Sequence, residues 1–386
     1  MPTRPGIAWR LLVLLALLAA RGAPAAGPSA PLPSPQELEA SGAIIGKVHI
    51  VVGDVFDTDI DGEDGWLYRT ANKLHINTRP SVIRGQLLFK SGDPYQHRLV
   101  EETERLLRDN GYLYDAVIVP VAFDDGVVDL EVRTRDVWTL NPGVSFSRKG
   151  GENTWGAQIE EDNLLGTGRA LDFEWRSDVD RESFGVSYVD PHFRHSFTRL
   201  GVAYIDADDG STKLLQVNRP FYALDTRRAG GVYLLEYERN DPRYVLGDEV
   251  GEFQHRGEYY EAYAGISRGL AGRWVRRWTG GVTYERNRFA VDPNEPLGGP
   301  LPPDRELAYP WLGFDLVEDS FQERVNQDQI RRTEDVLVGL RASARVGYAD
   351  DALGSDRDAL VASASVQDGA DLRPGISLFG SLSASG

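Results

Sequence analysis

Cysteine is absent from this chain, and methionine occurs once. Without cysteine there is neither a disulfide framework nor a thiol nucleophile, so stability has to come from burial and strand pairing. Positive charge is also scarce. Forty-two Lys and Arg face 59 Asp and Glu, a net charge of −17, which excludes a nucleic-acid surface because phosphates need cationic neutralisation. After the first 25 residues there is no run of roughly 18 apolar residues, so no helical membrane span is expected. No G-x-S-x-G nucleophile motif occurs, and Gly166-x-Gly168 lacks the third glycine of a dinucleotide loop. No enzyme, cofactor or metal is expected from these absences.

Glycine and aromatic residues are plentiful. The 41 glycines and the 10% aromatic content suit an all-β architecture with many tight turns. The 386 residues are enough for more than one domain. At the start, Arg4 and Arg10 precede the apolar run Leu11–Ala20, and Ala23-Pro24-Ala25 follows. That order predicts a secretory signal peptide over residues 1–25, since ten apolar residues are too short to cross roughly 30 Å of hydrocarbon. Residues 26–42, rich in Pro, Ser and Ala without a repeating apolar face, read as a linker.

Residues 43–136 read as a compact α+β unit. IIGKVHIVV is a strand candidate, WLYRTANKL a short helix, and SVIRGQLLF a second short apolar stretch. Asp93-Pro94 is placed to cap and open a helix with Leu99, Thr103, Leu106 and Leu107 on one face, ending at Asn110-Gly111 with Gly111 left-handed. Glu101 with Arg105 and Glu104 with Arg108 are expected as i,i+4 pairs on its solvated side. YDAVIVPVAF and VVDLEVRTR, joined through Asp125-Gly126, predict a hairpin.

From Val137 the period changes to two. Leu171, Phe173 and Trp175 alternate with Asp172, Glu174 and Arg176, and similar faces recur at Phe184–Tyr188, Tyr233–Tyr237 and Val336–Leu340. Roughly a dozen strands, many near ten residues, with aromatics such as Trp138, Trp155, Tyr259 and Trp278 near their ends, predict an antiparallel transmembrane β-barrel over residues 137–386. Two clusters invite a metal reading. Asp57-Thr58-Asp59-Ile60-Asp61-Gly62 opens like a calcium loop, but Tyr68 stands where a bidentate carboxylate belongs, so an acidic turn is expected. Asp190, His192 and His195 sit in a strand-to-strand turn, and no ligation is expected there.

Residues 43–136, with Gly92-Asp93, Tyr95 and Gly111-Tyr112 in order, resemble a polypeptide-transport-associated (POTRA) domain. The segments Glu161–Gly168, with Asn163, Gly166 and Gly168, and Tyr188–Phe193, with Asp190-Pro191, resemble the start of the barrel in the BamA, TamA and FhaC superfamily. One departure is that no Arg-Gly-Phe or Arg-Gly-Tyr motif occurs. The resemblance implies an outer-membrane protein with a periplasmic POTRA domain. That domain would receive unfolded outer-membrane or secreted polypeptides, and the barrel would insert or translocate them. Outer-membrane lipids and periplasmic or lipoprotein subunits are the other expected partners. β-Augmentation would pair a client with an exposed strand edge, expected along Tyr112 to Val121 at Tyr112, Val117, Val119 and Val121. The rival reading is a passive pore with a plug or tether domain. The superfamily barrel closes with sixteen strands, so the chain is expected to be a fragment or its barrel incomplete.

Overall fold

The computed structural model describes residues 32–386 apart from 61, 150–151, 179–180, 293–296, 328–331 and 374–375. The expected signal peptide lies outside the described residues.

The first described element corrects the linker expectation. Pro35–Ala40 form helix α1, with a complete capping box. Glu37 N–H donates to Ser34 Oγ, and Ser34 N–H donates to the Glu37 carboxylate at 2.8 Å. One apolar residue is enough to anchor so short a helix. Leu38 is fully buried in the core that follows, which is why a search for a repeating apolar face misses it.

Strand β1 (Ile44–Gly53), helices α2 (Trp66–Leu74), α3 (Pro80–Arg84) and α4 (His97–Arg108), and strands β2 (Leu113–Asp124) and β3 (Val127–Asp136) complete the N-terminal domain. The sheet order is β1-β3-β2, with β1 parallel and β2 antiparallel to β3. β3 takes the centre because Val128, Leu130 and Val132 alternate as fully buried residues beneath the helices. The β2–β3 turn is the expected hairpin, with positive φ at both Asp125 and Gly126.

The principal helix begins later than Asp93. Its N-cap is Gln96. Asp93 instead accepts the Lys90 N–H and offers its carbonyl to the Ile45 N–H, which ties the segment before the helix to β1. Gly111 keeps an ordinary negative φ, whereas Gly92 is left-handed at +92°. The turn that needs glycine therefore lies before the helix.

Thirteen strands follow in one antiparallel sheet whose neighbours are consecutive, except where a hairpin intervenes. They are β4 (Leu140–Lys149), β5 (Glu152–Glu161), β6 (Ala170–Ser177), β7 (Glu182–Asp190), β8 (Arg199–Ala207), β9 (Gly210–Arg219), β10 (Arg228–Val245), β11 (Asp248–Ala271), β12 (Trp274–Val291), β13 (Arg305–Glu318), β16 (Arg341–Ala349), β17 (Ala359–Arg373) and β18 (Ile376–Ser385). Strands β14 (Phe321–Val325) and β15 (Thr333–Leu337) pair only with each other. Val336 therefore belongs to this separate hairpin, not to a barrel strand as its alternation predicted. β4 and β18 each have one neighbour, so the described sheet is open at both ends.

The two faces of this sheet differ in chemistry. Val144, Ala157, Trp175 and Phe184 lie side by side across β4 to β7, and Val144 is 90% exposed. The same face continues through Leu234, Tyr260, Val282, Pro310 and Leu312 on β10 to β13. The opposite face is polar and concave. Arg345 on β16 reaches Glu261 on β11 at 2.6 Å, past two intervening strands. Three strand spacings come to about 14 Å, more than two side chains span across a flat surface. An apolar convex face over a polar concave one is the pattern of a membrane barrel. No helix among the described residues is long and apolar enough to cross a membrane.

Replacing Leu38 by Ala should cost the N-terminal domain about 3 kcal/mol through the cavity it leaves. Replacing Ser34 by Ala should cost about 1 kcal/mol through the lost cap. Urea unfolding of the full chain in detergent, followed by protease sensitivity of residues 35–136, checks the order of the two effects.

Candidate functional site

The two halves meet at a buried carboxylate. Asp136, the last residue of β3, is fully buried. It accepts the Thr78 N–H at 2.7 Å, the Thr78 hydroxyl at 3.0 Å, and a contact from His75 Nε2 at 2.9 Å. The Thr78 hydroxyl in turn accepts from Asn163 Nδ2 at 2.8 Å. Asn163 opens the β5–β6 turn and closes it by accepting the Gly168 N–H at 2.7 Å. The domain also donates Arg79 N–H to the Gly166 carbonyl at 2.8 Å.

Two glycines make this approach feasible. Gly166 (φ +71°) and Gly168 (φ +67°) are left-handed. A Cβ on Gly166 would lie 2.3 Å from the Asn77 carbonyl oxygen, and one on Gly168 would lie 2.9 Å from Tyr112 Oη. Of the residues that carried the sequence resemblance, Asn163, Gly166, Gly168 and Tyr112 thus come together in one junction. Gly92 and Asp93 sit apart from it at the β1 contact. Asp190 and Pro191 form the next turn of the same rim, where Asp190 pairs with Arg169 at 3.0 Å and accepts the His192 N–H.

Among the described residues, neither candidate cluster brings three ligating groups together. His192 packs against Phe197, and burial pulls its imidazole pKa down. In the acidic turn, Asp57 accepts the Asp59 N–H, and Asp61 lies outside the described residues. Among the described residues, one acidic group has ligating spacing, Asp350, Asp351 and Asp358 on the far-side loop between β16 and β17.

Helix α4 departs from the expected amphipathic pattern because a second set of elements covers its polar side. Glu102, Glu104 and Arg108 are all buried. Glu102 accepts the Leu224 N–H from the β9–β10 turn at 2.6 Å and pairs with Arg98, which also contacts Asp225. Arg108 makes a two-point pair with Asp335 of β15 (2.7 and 2.8 Å) and a third bond to Glu323 of β14. From the hairpin side, Arg332 donates to the carbonyls of Arg108, Asn110 and Leu113. Burial pulls the Arg108 pKa down, but Asp335, Glu323 and Glu104 more than reverse it, and the guanidinium stays charged. The hairpin reaches the other way as well. Arg324 donates to Asp371 and Ser377 of β17 and β18 at 2.6 Å each. It is therefore a strut between the N-terminal domain and the last two strands.

β2 lies at a sheet edge, but its outward backbone is occupied. Ile118 N–H donates to Glu104 Oε1, and the Ala116 carbonyl accepts from Arg108 Nη1 at 2.9 Å. Two residues on, Pro120 has no N–H to offer. These are the devices by which edge strands avoid stray pairing. Backbone alternation turns the N–H and C=O groups of Val117 and Val119 toward Arg133 and Glu131 of β3, while the Val117 side chain stays exposed on the sheet face away from the helices. Proline at either position would break the domain's own ladder before it touched a client. Tyr112 precedes the strand and is buried, with Gln86 Nε2 donating to its hydroxyl at 2.8 Å. It is a junction residue, not a client-facing one as expected. Val121 sits at a bulge in the β2–β3 register and is exposed.

On the concave face, Glu261 gathers Arg345, the Tyr259 hydroxyl at 3.0 Å and the Thr283 hydroxyl at 3.0 Å. The Arg345 guanidinium lies 3.6 Å from the Trp311 ring centre. Sequence alternation marks these positions as facing the interior but does not single out the cluster.

Alanine at Gly166 should unseat the turn, through backbone overlap and a left-handed cost of about 1–2 kcal/mol. Faster proteolysis of the segment 137–139 in detergent is the readout, and unchanged cleavage would contradict the junction. Burial pushes the Glu104 carboxyl up to about 7 from 4.5, with Ile118 and Arg108 opposing and Glu323 adding to the rise. The folded state then holds a proton that the unfolded state releases, so stability should fall as pH rises from roughly 5 to 7. Glu104→Gln should flatten that part of the Tm profile.

Residues 75–136 match the family model for POTRA, surface antigen variable number repeat. Among solved structures, the chain is similar to BamA from Haemophilus ducreyi lacking POTRA domains 1–3. Identity is 14% and the TM-score 0.34, over 88% of this chain and 81% of that one. It is also similar to CdiB from Acinetobacter baumannii, at 13% identity and TM-score 0.36, over 89% of this chain and 68% of that one. With the family match lying on the α3–β3 part of the N-terminal fold, that domain is a POTRA domain, carried here in front of an antiparallel barrel-type sheet.

Proposed function

We propose that the protein is a non-enzymatic outer-membrane component that inserts or translocates polypeptides. Its POTRA domain, residues 43–136, stands in the periplasm and receives unfolded clients, and the sheet from 137 onward forms the insertion or translocation site. The observation that carries this reading is the placement of the POTRA domain. It is fastened directly to the near-side turns of a sheet with an apolar outside and a polar inside. A receptor domain fixed at the rim can pass a client on without dissociating, which a free tether cannot do.

β-Augmentation on β2 supports main-chain recognition that is indifferent to sequence. The Glu104 and Arg108 bonds to the β2 backbone make that edge conditional. A client has to displace the helix side chains, and the hairpin holds Arg108 in place, so strut and edge compete for the same guanidinium. Val121, exposed and just past Pro120, is the favoured first contact.

A photo-crosslinker at Val121 should capture an unfolded outer-membrane polypeptide, and more of it in an Arg108→Ala background. Capture that is absent from both would sink the edge route. Depletion separates the two readings of the whole protein. Loss of many other barrels from the outer membrane supports assembly, loss of one exported protein supports dedicated secretion, and loss of solute permeability alone supports a passive pore.

A further inference from the structure

Helix α2 (Trp66–Leu74) presents a surface that neither the junction nor the client edge uses. A helix in a folded domain normally turns an apolar stripe toward the core, yet α2 has no buried residue. Its inner side is fastened. The Asn72 side chain bonds both the N–H and the carbonyl of Phe56, at 3.0 and 2.8 Å, and the Tyr68 ring lies 4.8 Å from the Phe56 ring. The outer side is fixed in consequence. At 3.6 residues per turn, Trp66, Thr70, Leu74 and Leu67 share a single arc of about 100°. Trp66 is 74% exposed and Leu74 70%.

Charge complements that arc. In a chain of net charge −17, α2 carries Arg69 and Lys73 and no acidic residue. Both cations flank the apolar arc on its Trp66 side. Trp and Leu on one face with cations at its margin is the arrangement of a helix lying in a bilayer interface, where the rings sit among headgroups and the cations meet phosphates.

Position completes the case. Leu74 and Ile76 border one shallow groove with Trp138, Leu140 and Leu165, and all five are exposed. Leu140 begins the outward row of β4 that continues through Pro142, Val144 and Phe146. His75, at the C-terminus of α2, is pinned to Asp136. The helix surface is thus continuous with the convex apolar face and locked to the same junction.

We propose that α2 docks on the phospholipid surface beside the rim of the sheet and seats the POTRA domain against the membrane. The proposal rests on the sheet lying in a membrane and is independent of client transport.

The chain has no cysteine, so single labels are clean. Leu67→Cys carrying an environment-sensitive fluorophore is compared with Val144→Cys on the convex face and Val117→Cys on the open POTRA face. All are measured in the full chain in nanodiscs of phosphatidylethanolamine and phosphatidylglycerol. The label at 67 should shift to the blue and be quenched by lipids brominated on the upper acyl chain, as at 144, while the label at 117 is not. In the unlabelled wild type, Trp66 should be oxidised less by hydroxyl radicals in nanodiscs than in detergent-free amphipol. Quenching at 144 without quenching at 67 overturns this proposal alone. Absence of quenching at both overturns the membrane sheet as well. Protection of residue 67 only after an unfolded polypeptide is added assigns the surface to clients and overturns lipid docking.

Discussion

The architecture depends on one buried carboxylate. Asp136 ends the central strand of the POTRA sheet, and its Oδ2 gathers Thr78 and His75 within their own domain. A carboxylate without water has to be satisfied by fixed donors. Thr78 gives its hydroxyl proton to Oδ2, which leaves the hydroxyl oxygen to accept from Asn163 of the first near-side turn. The peptide chain passes from Asp136 directly into the barrel-type sheet, so the same residue is both the covalent and the hydrogen-bonded hinge point. The junction thereby fixes how β2 and α2 stand relative to the rim of the sheet.

Against that fixed end, α4 supplies the contacts that can open. Its second covered face is ionic: Arg98, Glu102 and Arg108 meet turns and hairpin through charge, and Glu104 meets the β2 backbone. Buried ion pairs are poor sources of net stability but strong sources of register, because a lone partner is costly to leave behind. The arrangement therefore favours one docked geometry without a large apolar interface. The Glu104 carboxylate and the Arg108 guanidinium occupy outward backbone groups of β2. The hairpin strut links α4 to β17 and β18 through Arg108 and Arg324.

Much of this fold was legible in the sequence. Val128, Leu130 and Val132 announce a half-buried strand by period two, and Asp125-Gly126 announces its turn, because both signals are local. The convex apolar face was legible for the same reason at Leu171–Trp175 and Phe184–Tyr188, whereas Tyr233, Leu235 and Tyr237 alternate alike yet lie on the concave face, with Tyr233 opposite Glu261. Leu38 was not, since one anchor has no period. The start of α4 was misplaced because Asp93 satisfies its neighbours by a bond to Lys90 N–H instead of capping a helix. Glu104 and Arg108 look like a solvated i,i+4 pair in one dimension, but Glu104 bonds the β2 backbone and Arg108 meets a hairpin more than two hundred residues away. Val336 alternates like a barrel residue, and only the hairpin's separate pairing removes it from the sheet.

Local chemistry thus determined the elements and most of their faces: strands by alternation, and turns by glycine and aspartate. Tertiary structure decided which polar groups meet. Asn163, Gly166 and Gly168 could be recognised as a motif, but that they cradle Thr78, Asn77 and Tyr112 is a fact of packing. The exposed face of α2 has the same origin, for an amphipathic nine-residue helix reads identically whether its apolar arc meets a core or faces outward. The difference is physical. Periodicity depends on neighbours along the chain, whereas the partner of a buried charge or of an apolar face depends on where distant segments come to rest.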